Sequence, residues 1–164
     1  MANVMRWRYG DTSPVTMPTS STDQVEIGDL VYLLSGIAKP AYRIDDIGGA
    51  GPLDLAGAQE ELHDSLIGVA MQFSGIGNID PIRIATSGVF EFDSPSATYE
   101  LGDRIGANDN SGGDKLANQA VIGVPSNAPQ RSIGRVAKRA PSAATKVLVE
   151  LHSTLMRDGP QAVS

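Results

Sequence analysis

The chain has 164 residues, 41% hydrophobic and 20% charged, with 19 acids against 13 bases, a net charge of −6 and no cysteine. That composition suits one domain with a real core, or one domain plus an arm. It excludes wholesale disorder, disulfide staples and thiolate chemistry. The acidic balance opposes phosphate-backbone binding, so nucleic acid is not an expected partner. No apolar run approaches the roughly 20 residues needed to cross a bilayer as a helix, so no membrane is expected either.

Residues 1–24 read as an N-terminal arm. Met1 to Pro18 carries polar and charged residues where a secretory signal has its apolar centre, which points to a soluble intracellular product. Within the arm, Met5-Arg6-Trp7-Arg8-Tyr9 alternates like a strand. Gly10 to Pro14 turns, and Pro18 to Asp23 is polar. The Trp-Tyr strand could fold back as an edge strand or add to a neighbour's sheet.

From Val25 the chain reads as β structure. Gly28-Asp29 forms a turn before the strand Leu30–Leu34, and a weaker strand covers Ala41–Ile44 after Pro40. Gly48 to Pro52 is a loop. Ala58 to Asp64 is the one convincing helical segment, with acids near its start. Strands follow at Leu66–Phe73 and, either side of Ser87-Gly88, within Pro81–Asp93. Beyond a turn at Gly102-Asp103 and a polar loop at 108–114 come Leu116–Val124, a Pro-containing connector, Ile133–Lys138 and Lys146–Leu151. The Arg131, Arg135, Lys138 and Arg139 cluster reads as a solvated edge that discourages edge pairing.

Part of this series occurs twice. Glu26-Ile27-Gly28-Asp29 returns as Glu100-Leu101-Gly102-Asp103, Ile67-Gly68 as Ile133-Gly134, and Ile82-Arg83-Ile84 as Val147-Leu148-Val149, at separations of 74, 66 and 65 residues. The fold class read from this is mainly β. It is a compact β-barrel or sandwich built from two related β units (25–93 and 99–156), with one short helix, the extended N-terminal arm and a loose tail over 157–164.

Chemistry is sparse. His63 and His152 lack a third partner at ligand or catalytic spacing. Asn108 to Asp114 lacks the spaced acids and terminal Glu of a calcium loop. Gly75-Ile76-Gly77 precedes a strand rather than a helix, so it is no phosphate loop. Gly28, Asp29, Gly102 and Asp103 recur at matching places before strands and read as structural turns rather than paired catalytic carboxylates. No catalytic residue, metal site or cofactor is expected.

The turn-strand Ile27-Gly28-Asp29-Leu30-Val31, then Leu66-Ile67-Gly68-Val69-Ala70, then Ile82 to Phe90, with the opening Arg8-Tyr9-Gly10-Asp11-Thr12-Ser13-Pro14-Val15, resemble the small β-domain capsid decoration (cement) proteins of tailed bacteriophages. The resemblance spans roughly residues 6–155. It implies a structural virion protein on the outer capsid surface, made in the host cytoplasm, commonly a homotrimer, that clamps capsomers by binding the major capsid protein. It also implies that Arg6, Trp7, Arg8 and Tyr9 form a capsid-contact arm, removable with residues 1–20 while the domain stays folded. The alternative reading is a ligand-binding β-barrel, such as a carbohydrate-binding module. Such modules rely on aromatic platforms, and this chain holds one Trp, four Tyr and three Phe.

Overall fold

The computed structural model describes residues 3–46, 54–111 and 115–156. Eleven strands and one α-helix follow one another: β1 (Trp7–Tyr9), β2 (Val15–Met17), β3 (Leu30–Leu34), β4 (Ile37–Pro40), α1 (Leu55–Ser65), β5 (Leu66–Ala70), β6 (Ile82–Ala85), β7 (Ser87–Tyr99), β8 (Arg104–Asp109), β9 (Leu116–Gly123), β10 (Gly134–Val136) and β11 (Ala140–His152). They form a mainly β fold of two sheets, ordered β2-β6-β5-β3-β4 and β1-β7-β11-β10-β8-β9.

Each sheet closes on itself, with β1 left outside the second ring as an added strand on β7. In the first, Thr19 bridges Ala38 in parallel, with the Ala38 N–H donating to Pro18 O at 2.9 Å. In the second, β7 pairs β9 in parallel at Asp93 and Ala120. Closure leaves fewer free strand edges, the usual way an all-β chain avoids edge pairing.

The two units match bond for bond. Gly28 N–H donates to Ala70 O (2.9 Å) and Ala70 N–H to Asp29 O (2.8 Å); in the second unit Gly102 N–H donates to Val136 O (2.9 Å) and Val136 N–H to Asp103 O (2.9 Å). Register agrees too. Leu30 faces Val69 as Arg104 faces Arg135, and Ala70 faces Ile84 as Val136 faces Val149. The repeat also reaches further back than Val25, because Val15 faces Ile84 as Phe90 faces Val149.

That pairing moves the expected boundaries. The arm does not run to residue 24: Val15–Met17 is a working strand of the first unit, and β7 serves as first strand of the second. A three-residue strand between two prolines carries too little pattern to be seen in sequence. Removing residues 1–20 would take β2 out of the first unit, so that deletion cannot leave the domain intact. Two further expectations differ. Ala41–Ile44 lies in a 3-10 turn (Ala41–Asp46), with Tyr42 N–H held by Asn118 Oδ1 at 2.9 Å and Arg43 Nε by the buried Asp23 at 2.7 Å. The basic cluster is no edge either, because β10 lies between β8 and β11. The expected loop at 48–52 and the tail at 157–164 fall outside the described residues, as does part of the 108–114 loop.

Alternation sorts the side chains into two cores. Val25, Val31, Ile67, Ala70, Ile82 and Ile84 fill the first unit. Their counterparts Tyr99, Ile105, Ile133, Val136, Val147 and Val149 fill the second. The opposite face of the first sheet, with Leu30, Val69 and Ala85, belongs to the same core cluster as the second unit's interior. Both faces of β5 are therefore buried, and the two units make one domain.

Helix α1 sits between them. Asp54 caps it, accepting the Gly57 N–H at 2.8 Å, and Ala58, Gln59 and Leu62 turn inward. Gln59 is fully buried, donating to Ala107 O (2.7 Å) and accepting from Arg131 Nε (2.8 Å). Asp54→Ala is expected to lower stability by about 1 kcal/mol, the usual worth of an N-cap, read as a small fall in melting temperature.

Candidate functional site

Both Gly-Asp pairs are turns of one geometry. Asp29 N–H donates to Glu26 O at 3.1 Å while its carboxylate accepts the Glu26 N–H at 2.9 Å; Asp103 does the same with Glu100 at the same two distances. The glycines hold φ of +100° and +85°, which a side chain would strain.

Their surroundings differ. The first turn lies under the segment Asn3–Arg6: Asn3 Oδ1 accepts the Ile27 N–H at 2.7 Å, and a Cβ on Gly28 would meet Val4 O at 2.9 Å. The second turn is more open, held from the side by Arg135 donating to Gly102 O at 3.0 Å and Arg139 pairing with the Glu100 carboxylate at 2.8 Å. Nothing lies within 4 Å of a Cβ at Gly102, and Leu101 at its tip is 71% exposed.

The N-terminal segment thus spans both units, starting on the first unit's turn and continuing as β1 against β7 (Trp7 facing Phe90). It folds back on its own chain. Arg6, expected at a capsid contact, is buried instead. Its Nε donates to Gln119 Oε1 (2.8 Å), and its other nitrogens reach Glu91 O (3.1 Å) and Asp93 (3.2 Å). Gln119 Nε2 in turn donates to Asp29 Oδ1 at 2.7 Å. Burial pushes the Asp29 carboxyl above its ordinary range, opposed by hydrogen bonds from Gln119 and the Glu26 amide.

Arg8 pairs with Glu91 at 2.9 Å on the surface. Trp7 and Tyr9 are 41% and 51% exposed, on either side of an irregularity in β1 at which Trp7 faces Phe90 and Tyr9 faces Val89. Trp7 Nε1 donates to Gly10 O at 2.9 Å, and the indole lies over Gly88, where a Cβ would approach it to 3.4 Å. Beside them runs a groove of about 530 Å³, whose lining includes Tyr9, Gly88, Val89, Leu101 and Val136. Exposed aromatic and aliphatic side chains thus border a groove whose lining also includes Asp11, Arg135, Glu150 and His152.

Sequence reasoning saw no link between the two histidines, yet α1 and β11 bring His63 and His152 to the lining of one cleft. Their separation along the chain hid this, and no local motif could have revealed it. Among the described residues no group of three or more His, Cys, Asp or Glu is placed to hold a metal ion. Among them, too, no helix is long and apolar enough to cross a membrane.

No family model matches the chain, and no curated protein matches it. Among solved structures it is similar to the head fiber gp8.5 N base in bacteriophage phi29, over 84% of this chain and 93% of that one, with a TM-score of 0.45 and 9% sequence identity.

Proposed function

We propose that this chain is a structural virion protein that binds the outside of an assembled phage capsid and stabilises contacts between capsomers, through the major capsid protein and as a homotrimer. The sequence resemblance to decoration proteins supports the reading. The observation that carries it is the aromatic edge. Tyr9, on a strand braced by buried bonds, lines one groove with the exposed Leu101, and Trp7 stands exposed on the same strand. Docking a pre-ordered edge loses little conformational entropy, and many modest contacts on one shell sum to a large resistance.

The role assigned to the arm narrows accordingly. Arg6 braces, Arg8 stays tied to Glu91, and Trp7 and Tyr9 present the contact. Co-sedimentation with purified shells tests this. The double variant Tyr9→Ala/Leu101→Ala, changed only at exposed side chains, is expected to weaken shell binding at least tenfold, since one tyrosine anchor buried on docking is worth about 2 kcal/mol or more. Unchanged occupancy would remove the edge from the interface. Failure of the unaltered protein to bind any shell, joined to specific glycan capture on an array, would favour the carbohydrate-binding alternative.

A further inference from the structure

The geometry points to a second site, argued without the capsid reading although it shares Arg135, Glu150 and His152 with the groove beside Tyr9: an oxyanion-binding cleft between the C-terminal end of α1 and the outer face of β8, β10 and β11. Its ligand is a phosphate or carboxylate group. The cleft holds about 310 Å³, and its lining includes His63, Arg104, Ser132, Arg135, Glu150 and His152.

Its floor is unusual for a sheet. Arg104 faces Arg135 directly across β8 and β10, and like charges in that position repel. Glu150, opposite Arg135 on β11, offsets part of this, but it lies 3.4 Å from His152 Nε2 and is shared with it. Arg135 donates one N–H to Gly102 O at 3.0 Å. The Arg104 side chain, half-buried, has neither a hydrogen bond nor an ion pair among the described residues. Two arginines thus line one cleft with most of their N–H donors unbonded among the described residues, the donor type that takes planar or tetrahedral oxyanions.

The repeat shows that this charge is not required by the fold. The matching positions in the first unit, Leu30, Val69 and Ala85, are apolar and buried in the shared core. The same face in the second unit carries Arg104, Arg135 and Glu150, in a chain whose net charge is −6. On the cleft wall, His63 Nδ1–H donates to Ser132 O at 2.6 Å. That bond fixes the tautomer and leaves Nε2 as the ring's other polar atom, a donor once protonated.

The test follows the ring C–H signals of His63 and His152 by NMR while the full chain is titrated with inorganic phosphate and, in a separate arm, with acetate. Chloride holds ionic strength constant in both. A saturable shift of both rings is expected in at least one arm. Saturation by phosphate alone marks a phosphate site, and saturation by acetate marks a site for carboxylates such as acidic side chains. Arg104→Gln should weaken binding at least tenfold with melting nearly unchanged. Arg135→Gln, at an exposed position, serves as the second variant should the first fail to fold. Linear shifts equal to those in chloride, or unaltered affinity in the folded variants, would overturn the site.

Discussion

Gly68→Ala and Gly134→Ala are each expected to destabilise the protein by about 4 kcal/mol or more, the extreme end for single substitutions, lowering the melting temperature by roughly 10 °C. The two glycines occupy matching places in the repeat, and the reason is the same in both. A Cβ on Gly68 would fall on the carbonyl of Ala85, 2.8 Å from its carbon. One on Gly134 would fall on the carbonyl of Glu150, 3.0 Å from its carbon and 2.9 Å from Val149 Cγ1. The obstacle is backbone that is itself paired, so no rotamer change relieves it. Small closed sheets bring strands this near, and only glycine allows it. Gly123→Ala provides the control. Its Cβ would meet only Tyr99 Cε1, at 3.9 Å, so it should be neutral or stabilising by about 0.4–1 kcal/mol. Thermal or urea unfolding of the three variants checks the contrast. Near-wild-type melting of Gly134→Ala would mean that β10 and β11 are not packed as described.

These glycines also show what was legible in the sequence. The Gly-Asp turns and Ile-Gly strands stood out because each is fixed by backbone geometry that few residues satisfy, and so the repeat could be read with its order and spacing. Strand Leu30–Leu34 was legible for another reason: five apolar residues run between two turn signals. What stayed hidden depends on contacts across long separations. Val15–Met17 becomes a strand only because β6 lies beside it, and β7 runs 13 residues through a polar stretch because β11 pairs along its length. Arg6 looked like a surface arm residue, since nothing near it reveals that Gln119 will meet it. The divergence of Asp29 from Asp103 was equally invisible, both sitting in the same local motif.

That divergence carries the last large effect. Asp29→Ala should cost about 2–4 kcal/mol, because the buried Gln119 amide and the Glu26 N–H both lose their acceptor. Asp103→Ala loses one exposed turn bond and should cost under about 1 kcal/mol. Arg6→Ala is expected to cost about 3 kcal/mol. Its contact with the half-exposed Asp93 contributes little of this; the buried bond to Gln119 contributes most. Because Gln119 links both residues, the double variant Arg6→Ala/Asp29→Ala should fall short of the sum by about 1 kcal/mol in a double-mutant cycle. Titration gives an independent reading. An acid whose folded pKa lies above its unfolded value binds more protons when folded between the two values, so its contribution to stability shrinks as pH rises through that window. For Asp29 the decline starts near the ordinary 3.8 and ends once the raised folded value is passed. Urea midpoints measured across that range should therefore fall, relative to Asp29→Asn, as pH increases. Equal costs for Asp29→Ala and Asp103→Ala would instead mean that the Arg6–Gln119–Asp29 chain does not join the two units.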